Sequence, residues 1–303
     1  MKTHRIDIWL WGFVCFVCLL TGCGHDAHDG EDDSGLSVFL SWQEQADKDT
    51  EVKDIRLWIF NAADGLLVRK EHYGCAQEVA KQRFKLEKGD YRILAAVNLV
   101  EPFTISEATR TVREMDELRF GLKTPDASPD NAYFGVGEVT IDRTDAIYAA
   151  KEELQRALAE LTVIIEGVPD GTVLKGSVMN VAEGFSPLIK DEDGRWGTST
   201  SAKVECSLPT TTAEQGTEIK TETIRLMPTV KGEKATQLHL TLDLSAKHTN
   251  VYDIEAPAMK PGVKYQINLK YDEMRPYMYL TTTKINDWTE GWIYKGEILN
   301  PDE

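Results

Sequence analysis

The sequence predicts an all-β protein built as two β-sandwich domains in tandem, with a short helix in the first. Three observations carry this. Short segments of alternating or continuous apolar residues recur along the chain, separated by Gly, Pro, Asp and Asn turn signals. One local pattern occurs in each half: Glu87-Lys88-Gly89-Asp90-Tyr91-Arg92-Ile93-Leu94 and Lys260-Pro261-Gly262-Val263-Lys264-Tyr265-Gln266-Ile267 both place a tyrosine two or three residues after a glycine turn and before a buried strand. The length of 303 residues suits about two domains.

The elements follow in order. Met1 to Gly22 has a basic start at Lys2 and Arg5, then an apolar run from Ile8 to Leu20 with the length of a signal-peptide core. The run ends in Leu20-Thr21-Gly22-Cys23, which resembles the lipobox of bacterial lipoproteins. Leu20, Thr21 and Gly22 are the expected signal-recognition residues and Cys23 the expected lipid-attachment residue. Two or three acyl chains (palmitate or its like) on Cys23 anchor stably where one does not. Removal of residues 1–22 takes Lys2, Arg5 and Asp7 with it, so the formal charge goes from −16 to −17. Residues 23–35 carry Gly and charge without apolar period and read as a flexible acidic tether. Their acidity resembles the surface-export signal of Bacteroidota lipoproteins, which implies an outer-membrane, lipid-anchored and surface-exposed location.

The first domain is expected over 36–155. Leu36, Val38, Leu40 and Trp42 alternate onto one face, and Ile55 to Phe60 followed by Asp64-Gly65 and Leu66-Leu67-Val68 reads as a hairpin. Short and longer strands are expected at Arg83 to Leu86, Tyr91 to Leu99 and Ala132 to Ile141, with a helix over Ser106 to Leu118. Asp145 to Glu160 has helical propensity yet also reads with period two; Ala157 to Glu166 is taken as a strand. The second domain, 156–303, repeats the logic with strands at Leu174 to Val181, Pro187 to Lys190, Ala202 to Leu208, Glu222 to Met227 and Gln237 to Leu244. The tail from Tyr277 to Asn300 alternates and is either a strand donated to another subunit or the last strand of its own sandwich.

Charge and motifs exclude several functions. Acids outnumber bases 50 to 34, which opposes binding to nucleic acid. There is no Gly-x-Ser-x-Gly, phosphate loop or His-Glu-x-x-His. His72, His239 and His248 stand alone, and Asp191-Glu192-Asp193-Gly194 reads as a hairpin turn and not a calcium loop. No catalytic residue, metal or cofactor is therefore expected. Cys75 and Cys206 are expected to be unbridged.

Taken in order, these residues resemble the FimB-type fimbrial anchor family of Bacteroidales, the anchoring lipoproteins of type V pili. The resemblance rests on the lipobox at Cys23, Leu36–Trp42 followed by Val52 to Phe60, Asp64-Gly65, Arg83-Phe84-Lys85-Leu86 leading into Gly89-Asp90-Tyr91, and Asn98-Leu99. It continues with Arg156 before Leu161 to Gly167 and ends with Ile285-Asn286-Asp287-Trp288-Thr289-Glu290-Gly291. It implies two transthyretin-like sandwiches, no enzyme activity, and a fimbrial stalk subunit as partner, joined by strand addition through 277–300. It also implies that the lipidated N-terminus is kept, whereas stalk subunits are cut after an early arginine; here Arg56 and Arg69 lie in or beside expected strands. A stalk or tip subunit, or a glycan-binding surface lipoprotein, is the alternative.

Overall fold

The computed structural model describes residues 34–44, 47–48, 50–107, 113–213, 217–244 and 248–274, and the backbone of 245, 275, 279–280, 283–287 and 291–294. The expected signal sequence, Cys23 and the tether lie outside these residues. The first half runs β1 (Gly35–Trp42), β2 (Ile55–Asn61), β3 (Leu67–Tyr73), α1 (Ala76–Lys81), β4 (Gly89–Val97), β5 (Phe103–Ser106), a helical turn α2 (Glu114–Glu117), β6 (Arg119–Leu122), β7 (Tyr133–Ile141) and β8 (Ile147–Arg156). The second runs β9 (Ala159–Glu166), β10 (Val173–Ala182), β11 (Gly184–Lys190), β12 (Trp196–Ser199), β13 (Lys203–Thr212), β14 (Glu218–Lys220), β15 (Ile224–Leu226), β16 (Ala235–Ser245), β17 (His248–Pro257) and β18 (Lys264–Lys270). Short strands β19 (Met274–Arg275), β20 (Tyr279–Leu280), β21 (Thr283–Asp287) and β22 (Gly291–Tyr294) follow. The chain is all-β, as the sequence implies.

A six-stranded sheet, β1-β8-β7-β4-β2-β3, organises the first half. Its central strands are apolar at nearly every position because both faces are covered. Ile55, Leu57, Ile59, Ile93 and Val97 pack on one side with Leu36, Val38, Val79 and Phe84. Trp58, Phe60, Leu94 and Ala96 pack on the other. That second face meets a four-stranded sheet, β12-β11-β6-β5, which draws β5 and β6 from the first half and β11 and β12 from the second. Its phenylalanines fill the interface: Phe120 lies 6.1 Å from Trp58 and 5.6 Å, edge-on, from Phe185, and Phe185 lies 5.1 Å from Phe134. The apolar layer continues between β13-β10-β16-β17 and β14-β9-β18-β21-β22, where Leu174, Leu238, Leu240 and Leu242 meet Leu161, Val163 and Ile267.

The β2–β3 hairpin forms where Asp64-Gly65 predicts it. Gly65 has φ +75° and its N–H reaches Asn61 O at 2.9 Å, while Asp64 Oδ1 accepts from Leu66 N–H at 2.9 Å. The two matched tyrosines also hold alike. Tyr91 donates to Glu87 O at 2.9 Å and Tyr265 to Ala258 O at 3.2 Å, each tying its strand to the turn before it. Asp191 Oδ1 accepts from Asp193 N–H and Arg195 N–H, closing the β11–β12 hairpin as an Asx turn.

Two local expectations need correction, and one open reading is decided. The helix over Ser106 to Leu118 is not formed as such: β5 extends through Ser106, and the described helical part is the single turn Glu114–Glu117. Residues 108–112 lie outside the described residues. The helix-prone stretch around Ala149-Ala150-Lys151-Glu152-Glu153 is strand β8, because parallel pairing with β1 along its length outweighs local propensity. Arg83 to Leu86 makes one bridge, Leu36 to Phe84, and no strand. Helix α1 carries no strong sequence signal; its one buried residue is Val79.

Candidate functional site

The first and the last described strands both lie at sheet edges. β1 is the edge of its sheet and lies parallel to β8, in register from Gly35 opposite Ile147 to Trp42 opposite Leu154. Of the tail, expected either as donated strand or as internal strand, β20 pairs with β19 and the strands β21 and β22 lie in the sheet of β18. β21 pairs antiparallel with β18, Ile285 opposite Ile267, and β22 pairs with β21 and forms the sheet edge. Tyr277, Met278, Thr281 and Thr282 lie outside the described residues.

Between the halves sits a buried group of charges. Arg156, at the end of β8, is 6% exposed and Asp47, in the loop after β1, is 4% exposed. The guanidinium donates to Asp47 through Nη2 at 2.6 Å and Nε at 3.0 Å, a two-pronged contact that only arginine can make. Nη1 reaches Glu160 on β9 at 3.3 Å. Glu160 in turn accepts from Arg225 on β15 at 3.2 Å and faces Lys264, the first residue of β18, at 3.7 Å. Burial opposes the charge of Arg156, but the hydrogen bonds to Asp47 and the negative field of Glu160 and Asp47 outweigh it and hold the pKa above its ordinary value. Arg156 enters the sequence reading through the family resemblance; that Asp47 faces it across 109 positions had no local signal.

A second buried titratable group, a carboxyl, has no such partners. Glu152 on β8 lies between Ala150 and Leu154, both part of the apolar cluster beneath the first sheet. It is fully buried, and neither carboxylate oxygen has a hydrogen-bond partner among the described residues. Gly137 on β7 leaves the space that the carboxylate fills; a Cβ there would overlap it. Burial alone pushes its pKa up to about 8. The side chain is therefore largely a neutral acid at pH 7. Burial, then Asp126 and Glu205, push the Cys206 thiol up to about 12. It and Cys75 are both unbridged.

Two of the histidines that stand alone in the sequence each meet a carboxylate of a neighbouring segment. His72 Nε2 lies 2.6 Å from Asp54, and His239 Nδ1 lies 2.6 Å from Asp253. Trp58 is buried, with its indole N–H on Glu107 at 3.0 Å. Trp196 is half-buried under two cations, with Lys190 Nζ 4.4 Å and the Arg92 guanidinium 4.8 Å from its ring centre. Arg92 is on β4 and Trp196 on β12, so this stack also ties the six-stranded sheet to the second half.

The sequence profile of the fimbrillin-A associated anchor proteins Mfa1 and Mfa2 matches residues 26–294, which is nearly the whole chain. The chain belongs to this family. Solved structures agree in fold. The fimbrial anchor protein Mfa2 from Porphyromonas gingivalis is 14% identical, with 86% of this chain and 99% of that one covered at a TM-score of 0.54. A candidate adhesin from Bacteroides thetaiotaomicron is 13% identical, covering 87% of this chain and 98% of that one at 0.57. One from Bacteroides ovatus is 15% identical, covering 89% and 96% at 0.53. No curated protein sequence matches the chain. Membership makes this a fimbria-associated protein of the Mfa2 anchor type, and the resemblance read from its residues is correct at the level of the family.

Proposed function

We propose that this Mfa2-family protein is a non-enzymatic outer-membrane lipoprotein that holds a fimbrium at the cell surface, attached to lipid through acylated Cys23 and to a stalk subunit through its C-terminal strands. The observation that carries the reading is the family match across residues 26–294, standing directly behind Leu20-Thr21-Gly22-Cys23 in the same chain. An anchor needs two joints. A covalent diacylglycerol on Cys23 supplies the first. Backbone pairing supplies the second, because a strand added to a sheet edge satisfies a row of donors and acceptors at once. β22 is the outer strand of its sheet and the last described strand of the chain, so it offers that edge to a neighbour. A strand from the stalk pairing with this edge is a joint that leaves β21 and β22 in place; release of the two strands for donation is the other form of the same joint.

The test is a pair of variants in the native host. In Cys23→Ala, labelling with a fatty-acid probe is lost, and fimbriae with their anchor are shed into the medium. Truncation after Pro276 leaves a labelled, membrane-bound protein while fimbriae are shed without it. Normally attached fibres in both variants would end the proposal, and unchanged labelling of Cys23→Ala would end its lipid half. Circular dichroism of the truncated protein separates loss of the joint from loss of the fold.

A further inference from the structure

Two strand pairs in the described structure are parallel, and both lie on the path between the chain's ends. β1 runs alongside β8 and β9 runs alongside β18; the other described pairs are antiparallel. We propose that these two pairs are mechanical clamps in series, which carry fimbrial tension through the protein in shear. The inference rests on the anchor reading, in which load enters at Cys23 and leaves through the chain after β18.

The directions of the strands make the case. Tension from the membrane pulls β1 toward its N-terminus at Gly35. The load passes to β8 and leaves it at its C-terminus, Arg156. Two parallel strands pulled from opposite ends slide along each other, so every register pair from Gly35–Ile147 to Trp42–Leu154 is strained together. Had the pair been antiparallel, the same pull would peel it one bond at a time. The N–H of Gly35 on Ala146 O and that of Gln43 on Leu154 O, both 2.9 Å, bracket the clamp. Ser41 Oγ adds a bond to Glu152 O at 3.3 Å, and the buried Leu36 and Val38 root β1 in the core.

The second clamp repeats the geometry. β9 is pulled at its N-terminus by β8 and β18 at its C-terminus by the tail, so the pairs from Lys264–Glu160 to Lys270–Glu166 are again in shear. Only Ala157 and Leu158, both buried, separate β8 from β9, which leaves no slack between the clamps. The buried charges sit at this joint. Asp47, just beyond β1, grips Arg156, and Glu160 faces Lys264 at the start of β18. Each ion pair thus fastens the end of a clamp next to the joint. β10, β13, β16 and β17 are off the path and are wholly antiparallel.

The test is single-molecule pulling on the full mature chain without lipid, with one handle at the N-terminus. A second handle at exposed position 272, after β18, loads both clamps in shear. A second handle at exposed position 145, just before β8, pulls β1 and β8 from the same end and peels them. The expected peak force is several-fold higher for position 272 than for position 145. Phe39→Pro removes one N–H from the β1–β8 ladder at an exposed side chain, and it is expected to lower the 272 peak by a larger fraction than the 145 peak. Neither measurement involves lipid or a stalk subunit, so equal peaks in the two geometries, or an equal effect of Phe39→Pro on both, overturn the clamp and leave the anchor reading standing.

Discussion

Replacing Glu152 with methionine stabilises the protein most at alkaline pH, where the buried carboxyl costs most. The carboxyl of Glu152 holds its proton in the folded state up to about pH 8, because it is buried without partners. In the unfolded chain the same group ionises near its ordinary value of 4.5. Below that value both states are protonated, and Glu152 adds no pH dependence. As pH rises from about 4.5 to about 8, the unfolded state has lost the proton and the folded state still binds it. Stability therefore falls across this window and levels off above it. The gap between the two pKa values corresponds to about 5 kcal/mol, as an order of magnitude. Glu152→Met removes the titration and keeps the volume, and Glu152→Gln removes the titration while leaving a buried amide to satisfy. Urea unfolding at pH 5 and pH 9 should show a parent weaker at pH 9 and a Glu152→Met variant with much less pH dependence. The same drop in both proteins would show that the Glu152 carboxyl is not the source.

Arg156→Met is expected to destabilise the protein by about 3–5 kcal/mol, since it leaves the Asp47 carboxylate buried without its counter-charge and removes one of the partners of Glu160. The two-pronged bond from Arg156 to Asp47 spans the loop after β1 and the end of β8, so its loss should also free that loop. Arg156→Lys keeps the charge but not the fork, and it should recover only part of the loss. Combining Arg156→Met with Asp47→Leu should be less damaging than Arg156→Met alone, because the stranded charge is then gone. Denaturant midpoints of the three variants decide it. If the double variant is no better than Arg156→Met, the cost comes from packing and not from an unpaired charge.

Strand after strand was legible because the first sheet is buried on both faces and the second half on one. Continuous apolar runs at Ile55 to Phe60 and Ile93 to Val97, and the alternating leucines Leu238, Leu240 and Leu242, mark those two situations directly. Turns at Asp64-Gly65 and Asp191 to Gly194 were equally plain, since their geometry is set by residues within the turn. The family too was readable from the order of such motifs. Chain direction and pairing were not. Nothing local says that β1 lies parallel to β8, that β11 and β12 complete a sheet begun by β5 and β6, or that β21 pairs beside β18. A strand's period reveals which face is buried but never its neighbour. The same holds for charge. Arg156 and Glu152 lie four residues apart on one strand; one meets Asp47 and the other meets the gap left by Gly137, and only the packing of distant segments decides which is paired and which is kept neutral.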